Sequence, residues 1–403
     1  MAITTTAKPH AYVPAGNDIY FGSTSDKTTQ PNFMYYITVA VGANTFTFVK
    51  PARPTTADLV FNCRKCIEKA LQQYYPFGQY GWQTVNGGIL QITVNIGERY
   101  GTTLTIYPGT NYQFYVWNAV LEREERRTYL PATYQYPNCL NQIPSATSGK
   151  TDKDLTFYWL LPSVSALTNL TVTTYDVTGA TLGIYKIGNP FVAVTTPNLY
   201  ICINAGWTGL TNITSGVVAV SGSLPIITPT VVSYQLAFNG PSSSTTYTVS
   251  QSNCCSAVSS KTLFYLNRYG AFDVINLCAN SRKTTEITKT FYRAIDNYFE
   301  GSYLDASNAI ITPSNPLDIN KRVLSNVNEL KEQLTSGYLN DSQVALYSEC
   351  WKASKHFLQN TTNDYRIVVQ EDNSFAFKQG KVDKLIQFVA NISHGHVNRR
   401  QSI

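Results

Sequence analysis

Between Leu155 and Ser260 the chain carries two charged side chains, Asp176 and Lys186, and from Ile187 to Ser260 it carries none. At the chain's own 14% charged content those residues would hold about 15, and an average soluble protein would hold more. A long block rich in Thr, Ser and Val without charge reads as β structure. Its exterior is then either dressed with hydroxyls or buried against neighbours. The flanks differ sharply. Residues 1–154 hold 23 charged side chains and residues 261–403 hold 31. With 403 residues, two to three domains are expected, and the charge steps place them at 1–130, 131–260 and 261–403.

The remaining composition excludes several classes. Hydrophobic residues make up 43% and aromatics 13%, enough to build cores, so global disorder is not expected. A net charge of +6 on this length is a weak argument for nucleic acid, and no specific nucleic-acid partner is expected. No apolar run reaches the roughly 18 residues of a membrane helix. The longest, Val217 to Ile227, is interrupted by Ser221, Gly222, Ser223 and Pro225. The N-terminus MAITTTAKPH lacks a signal peptide's basic and apolar regions, so synthesis in the cytoplasm without conventional export is expected, with no membrane partner. The eight cysteines, spread at irregular intervals, read as reduced thiols.

The first region mixes strands with one helix. PNFMYYITVAV and NTFTFVK alternate and form a hairpin-like pair. In the stretch after Pro54, Leu59, Cys63, Cys66, Ile67, Ala70 and Tyr74 recur at spacings of three and four, and Pro76 closes it. This predicts a helix over about 57–75. GILQITVNIGERYG and TNYQFYVWNAVLERE return to strands, with a bulge or two-sided strand where the aromatics break alternation. The middle region offers LTFYWLL, NLTVTTYDV, LGIYKI, NLYICIN, VVAVSG and TVVSYQLAF. Such spacing suggests an antiparallel, immunoglobulin-like β-sandwich; TYTVS is a further candidate strand. The third region opens with KTLFYLNRYGAFDVINLCAN. It contains a helix over about 341–357, with Asn340 and Gln343 at cap-box spacing. KQGKVDKLIQFVANIS closes it as a strand or mixed element. Residues 321–338 are contested, because local propensity favours helix. The expected fold class is mainly β: multi-domain antiparallel β-sandwich modules with a few helices.

No constellation demands chemistry. Cys63-Arg-Lys-Cys66 is a CxxC whose cations could lower a thiol pKa, but both cysteines fall on the apolar face of the predicted helix, which favours buried structural thiols over metal or redox chemistry. The vicinal pair Cys254-Cys255 reads as reduced thiols, since vicinal disulfides are strained. His394-Gly-His396, ahead of Arg399-Arg400, reads as a solvated tail whose basic end could touch a negative neighbour. The run Glu122–Arg127, EREERR, reads as a solvated end or interface rather than a glycosidase carboxylate pair. There is no GxSxG, HExxH, Walker A or GxGxxG motif. The sequons at Asn169 and Asn212 matter only on a secretory route, and the 28 tyrosines suit half-buried strand positions. No catalytic, cofactor-binding or metal-ligating residue is assigned, and no cofactor is expected.

Two stretches carry a resemblance. HAYVPAGNDIYF over His10–Phe21, QPNF ending at Phe33, GERYG over Gly97–Gly101 and YVWNAVL over Tyr115–Leu121 resemble the opening domain of a family of phage virion proteins. LFYLNRYGAFD over Leu263–Asp273 resembles the "YFLNRLGGWD" signature that opens their C-terminal domain. It departs from that signature at Ala271 and Phe272. The family is the minor structural or tail proteins of phages infecting Bacteroidetes, including crAss-like phages. The likeness covers about 1–130 and 261–403. It implies a non-enzymatic virion subunit, a homo-oligomeric ring at the neck or tail that contacts portal, tail or fibre proteins. It also favours strand over 321–338. Physically, Leu263 and Tyr265 would share one strand face. Asn267–Gly270 would make a tight turn needing positive φ, and Phe272 and Val274 would begin the returning strand. The competing expectation is a receptor- or glycan-binding adhesin, suggested by the tyrosines and the Thr-rich middle. A glycan-degrading tail enzyme is the least supported.

Overall fold

A computed structural model describes residues 3–68, 70–73, 75–149, 154–161, 167–193, 199–240, 244–251, 261–277, 282–293, 303–304, 307, 310–311, 321–339, 341–361, 364–371 and 386–401. The protein is mainly β, built from several largely antiparallel sheets with few helices. In the first segment a five-stranded sheet is ordered Tyr12–Pro14, Thr105–Trp117, Ile89–Tyr100, Met34–Val41 and Asn44–Lys50. It packs against a three-stranded sheet of Ile3–Ala7, Tyr20–Ser25 and Asp58–Asn62. The alternating residues Tyr35, Ile37, Val39, Ile92, Val94 and Ile96 meet Phe21, Leu59 and Phe61 in one core. The hairpin read from the sequence is present, with Val41 opposite Asn44. No bulge falls at Tyr112–Trp117, where the ladder is regular and the neighbours Val116 and Trp117 are both buried, as in a two-sided strand; the register shift lies further along, where Ile96 pairs with Thr110 but Glu98 with Tyr107.

The helix expected over 57–75 is corrected. Asp58–Asn62 is a strand, and among the described residues of this stretch only Arg64–Ile67 is helical. Leu59 and Phe61 are buried while Val60 is exposed, a period of two that also fits the sequence and lets the strand pair with Tyr20–Ser25. Pairing and burial across the sandwich outweigh the three-and-four spacing.

The middle segment forms two facing sheets. One has six strands, in the order Ala146–Gly149, Ser244–Gln251, Ser233–Asn239, Asn169–Tyr175, Thr181–Gly188 and Val217–Ser221. The other pairs Thr156–Leu161 with Leu199–Asn204, and the first segment contributes its third strand, Gly81–Thr84. All six strands read from the sequence are present, as is the strand containing TYTVS. The short helix Trp207–Asn212 had no sequence signal.

The scarcity of charge has a direct cause here. Every residue of Thr156–Leu161 is buried, because this sheet lies between two cores. Phe157, Trp159, Ile201 and Ile203 face the six-stranded sheet. Tyr158, Leu160, Tyr200 and Cys202 face Trp117 and Tyr75 of the first segment and Phe264, Leu266 and Phe272 of the third. An unpaired charge in such a layer would cost several kcal/mol. The outward rows of the six-stranded sheet carry mostly hydroxyls and amides, as at Thr171, Thr173, Gln235 and Thr248, with the exposed Lys186 opposite Thr171.

The third segment is a seven-stranded sheet. Its order is Phe272–Leu277, Lys261–Leu266, His356–Thr361, Asp364–Gln370, Ile386–Gln401, Lys321–Leu339 and Arg282–Arg293. Helix Asp341–Lys352 packs on it through Leu346, Tyr347 and Cys350. The helix expected over 341–357 ends earlier, because His356 and Phe357 enter a strand paired with Lys261–Leu266; Asn340 lies outside the described residues. The contested 321–338 is strand, paired with Arg282–Arg293 over 321–333 and with Ile386–Gln401 over 325–339. Two long ladders override a helical propensity of a few tenths of a kcal/mol per residue. His394 does not lie in a solvated tail: Ile386–Gln401 is a continuous strand and His394 is buried within it.

Candidate functional site

The Leu263–Asp273 stretch builds a junction of all three segments. Its strand residues split by face. Leu263 and Tyr265 enter the core of the third segment, while Phe264 and Leu266 enter the shared aromatic core. Between the strands the chain turns at Asn267–Gly270, where Gly270 has φ +91°. Asn267 closes the turn with its own side chain, whose Oδ1 accepts from Tyr269 N at 2.9 Å and Ala271 N at 3.0 Å.

Three successive carbonyls of this turn point into other segments. Arg268 O accepts from Val120 N at 2.8 Å, and Tyr269 O from Trp117 Nε1 at 3.0 Å. Gly270 O accepts from Gln73 Nε2 at 2.7 Å and Tyr200 OH at 2.6 Å. The approach is close enough that a Cβ on Gly270 would sit 2.5 Å from Asn118 O. Thus Tyr115–Leu121 and Leu263–Asp273, separate in sequence, interlock in space.

On the inner side of the turn lies a buried polar cluster. Asp273 accepts from Asn267 Nδ2 at 2.7 Å, Asn141 Nδ2 at 2.9 Å and Gln142 N at 3.2 Å. Burial nevertheless pushes its carboxyl up to about 6, against the opposing effect of those hydrogen bonds.

On the outer side lies an ionic cluster. The EREERR run forms the short helix Arg123–Arg127, with a capping box made by Glu122 and Glu125. Arg268 Nη1 contacts Glu122 at 2.9 Å, and its Nη2 contacts Glu125 at 3.3 Å. Lys352 bridges Glu122 at 3.3 Å and Glu349 at 3.1 Å. Lys352 and Arg268 hold the Glu122 carboxyl below its ordinary range. Tyr269 OH donates to Glu125 at 2.7 Å; burial and this carboxylate push the phenol up to about 12. An open cleft of about 300 Å³ lies among Asn118, Val120, Glu122, Arg268, Glu349 and Lys352. These charges engage one another across segment boundaries, which makes the cleft a clamp between segments. Glu122 and Glu125 of the EREERR run are therefore an interface within the chain, while Arg123, Glu124, Arg126 and Arg127 are exposed.

The other singled-out residues lie elsewhere. Cys63 is buried, its thiol donating to Ile19 O at 3.6 Å, and burial pushes it up to about 12. Burial also raises Cys66, so neither is an activated thiolate. Cys254 and Cys255 lie outside the described residues, as does the side chain of His396. Among the described residues no group of three or more His, Cys, Asp or Glu is placed to hold a metal ion, and no helix is long and apolar enough to cross a membrane.

Sequence reasoning gave no role to Gln73, Asn141 or Tyr200 at the junction. It also missed a buried ion pair in the third segment, where Lys261 Nζ lies 2.6 and 2.7 Å from the two oxygens of Glu332. His394 Nε2 is 3.3 Å from the same carboxylate. A lysine opening a strand and a glutamate 71 residues later have no local signal; the curling of the sheet brings them together.

Compared with protein-family models and with curated protein sequences, the chain matches none.

Proposed function

We propose that the chain is a non-enzymatic structural subunit of a phage virion, assembling with copies of itself into a ring at the neck or tail and joining portal, tail or fibre components. One observation carries this reading. The two stretches that resemble the virion family's signatures form the interlock of three segments, with their polar groups engaged in holding the molecule together. A signature that serves a joint suits a subunit that transmits load between neighbours. The charge-poor middle supports the same reading, since a sheet face with little charge is favourable to cover with another subunit.

The test is the mass of the purified protein by light scattering together with negative-stain imaging, and its detection in purified particles. A closed ring in solution and presence in virions support the proposal. A strict monomer that is missing from purified particles overturns it.

A second reading is a receptor- or glycan-binding tail adhesin. It is favoured by the outward rows Thr171, Thr173, Gln235 and Thr248, a hydrogen-bonding surface on which Lys186, opposite Thr171, supplies a charge. Binding on a glycan array that is lost when Thr171 and Thr173 are replaced by valine supports it. A silent array, with host adsorption intact under antibody blockade, removes it.

A further inference from the structure

Five carboxylates are buried among the described residues: Glu98, Asp154, Asp273, Glu332 and Glu349. Three of them have their charge answered. Glu332 meets Lys261, Glu349 meets Lys352, and Asp273 takes donors from Asn141, Gln142 and Asn267. Glu98 and Asp154 each have a single hydroxyl donor, and each keeps one oxygen unpartnered. At Glu98 the donor is Ser25 Oγ. Ser23, two residues earlier on the same strand, has an unpartnered hydroxyl, and that group carries its own proton to give.

At Asp154 the second unpartnered atom is an acceptor. Asp154 lies just ahead of Thr156–Leu161 in the middle segment, and Gln359 and Tyr365 stand opposite each other on paired strands of the third. Tyr365 OH donates to Asp154 Oδ2 and accepts from Gln359 Nε2 at 3.1 Å. One phenol oxygen thus touches both head groups, which places them within about 6 Å of each other. Asp154 Oδ1 and Gln359 Oε1 have no partner, although their residues are only 3% and 0% exposed. A carboxylate oxygen and an amide carbonyl can only accept, so neither satisfies the other. Rings of the first and third segments wall the place: Phe77 lies 4.9 Å from Tyr75 and 4.4 Å from Tyr365. The Tyr75 hydroxyl is engaged with Thr156 Oγ1 at 2.9 Å. Burial, and then the negative charge of Asp154, raises the Tyr75 phenol. A lone carboxylate among such rings is costly without a counter-charge.

We propose that Asp154 Oδ1 and Gln359 Oε1 bind a monovalent alkali cation, sodium or potassium, at this seam of the three segments. The proposal goes beyond the virion reading and does not depend on it. Both donors are hard oxygens, which suit alkali and alkaline-earth ions rather than thiolate- or imidazole-seeking metals. One carboxylate neutralises one positive charge. Calcium gathers about six to eight oxygens, and a divalent ion here would leave a net charge buried. Phe77 is exposed and Tyr365 partly so, which gives a small ion a way in. Since Asp154 belongs to the middle segment and Gln359 to the third, the ion ties one to the other.

The experiment is urea unfolding of the full chain, followed by tryptophan fluorescence, in about 100 mM NaCl, KCl or choline chloride. Choline keeps the ionic strength but is too large for the site. A dissociation constant of about 10 mM raises the folding equilibrium constant about tenfold over choline. Asp154→Asn should abolish the difference between salts. Asp26→Asn, at an exposed carboxylate of the first segment, should keep it. Gln359→Leu leaves the Asp154 charge in place and should reduce the difference, which keeps the test open where Asp154→Asn does not fold. Sodium-23 NMR of the folded protein should show line broadening that potassium relieves and that the site variants lose. Equal unfolding in the three salts overturns the proposal, as does a difference that survives in both site variants. Stabilisation by about 1 mM CaCl2, with none by sodium or potassium, would assign the seam to a divalent ion and overturn it too.

Discussion

Asn267 and Asp273 are joined inside the molecule, Asn267 Nδ2 donating to Asp273 Oδ2 at 2.7 Å, across the turn that links their strands. The same Asn267 amide group reaches Leu140 O at 3.0 Å, and the other carboxylate oxygen receives Asn141 Nδ2. One pair of side chains therefore fixes the turn, the returning strand and the entry to the middle segment together.

Every hydrogen-bond partner of Asp273 is a donor: Asn141 Nδ2, Gln142 N and Asn267 Nδ2. Asp273→Asn turns an NH2 group against one of them. A loss of about 1–3 kcal/mol in urea unfolding is expected. A neutral effect at pH 7 would show that the site accommodates an amide.

The same carboxyl gives a pH signature. Its folded value, about 6, lies above the ordinary 3.8, so between these values the folded state holds more protons than the unfolded chain. Stability from this group is then greatest near pH 4 and declines as pH rises to about 6, by on the order of 3 kcal/mol. The difference between wild type and Asp273→Asn, followed by urea unfolding from pH 4 to 7, should shrink through that window. A difference that grows with pH contradicts the assignment.

Gly270→Ala meets two obstacles, a positive φ and a Cβ placed 2.5 Å from a backbone oxygen. Gly101 has nearly the same φ, +88°, but open space around its Cβ. Gly101→Ala should cost about 1–2 kcal/mol from backbone strain alone, and Gly270→Ala should cost clearly more. Equal losses by denaturant titration would mean the interlock yields without resistance.

Lys261 and Glu332 are both buried. Glu332→Gln leaves the ammonium without its counter-charge and should cost about 3–5 kcal/mol. The double change Lys261→Met, Glu332→Leu should recover most of that loss, because neither charge remains to be desolvated. A double mutant as unstable as the sum of the singles would exclude this account.

The mainly β class and nearly every middle strand were legible because alternation and turn residues act over a few positions. Tyr234, Leu236 and Phe238 are buried between half-exposed neighbours, as the sequence pattern requires. The turn at Asn267–Gly270 was legible for the same reason, since a tight turn with positive φ selects glycine locally. Failures came where two periods fitted one stretch. Leu59 and Cys63 satisfy a helical spacing, but Leu59 and Phe61 satisfy a strand, and only the facing sheet decides between them.

What the sequence determined by itself was local: which stretches extend, where they turn, and that the middle could not face water as an ordinary charged surface. The tertiary structure decided which surfaces meet. It set the charge-free sheet between two cores, locked Trp117 and Val120 onto the turn carbonyls, and brought Lys261 against Glu332. These depend on strand register and sheet curvature between residues tens to hundreds of positions apart. Hydrogen-bond ladders and burial set those quantities cooperatively across the whole molecule, and no short window of sequence contains them.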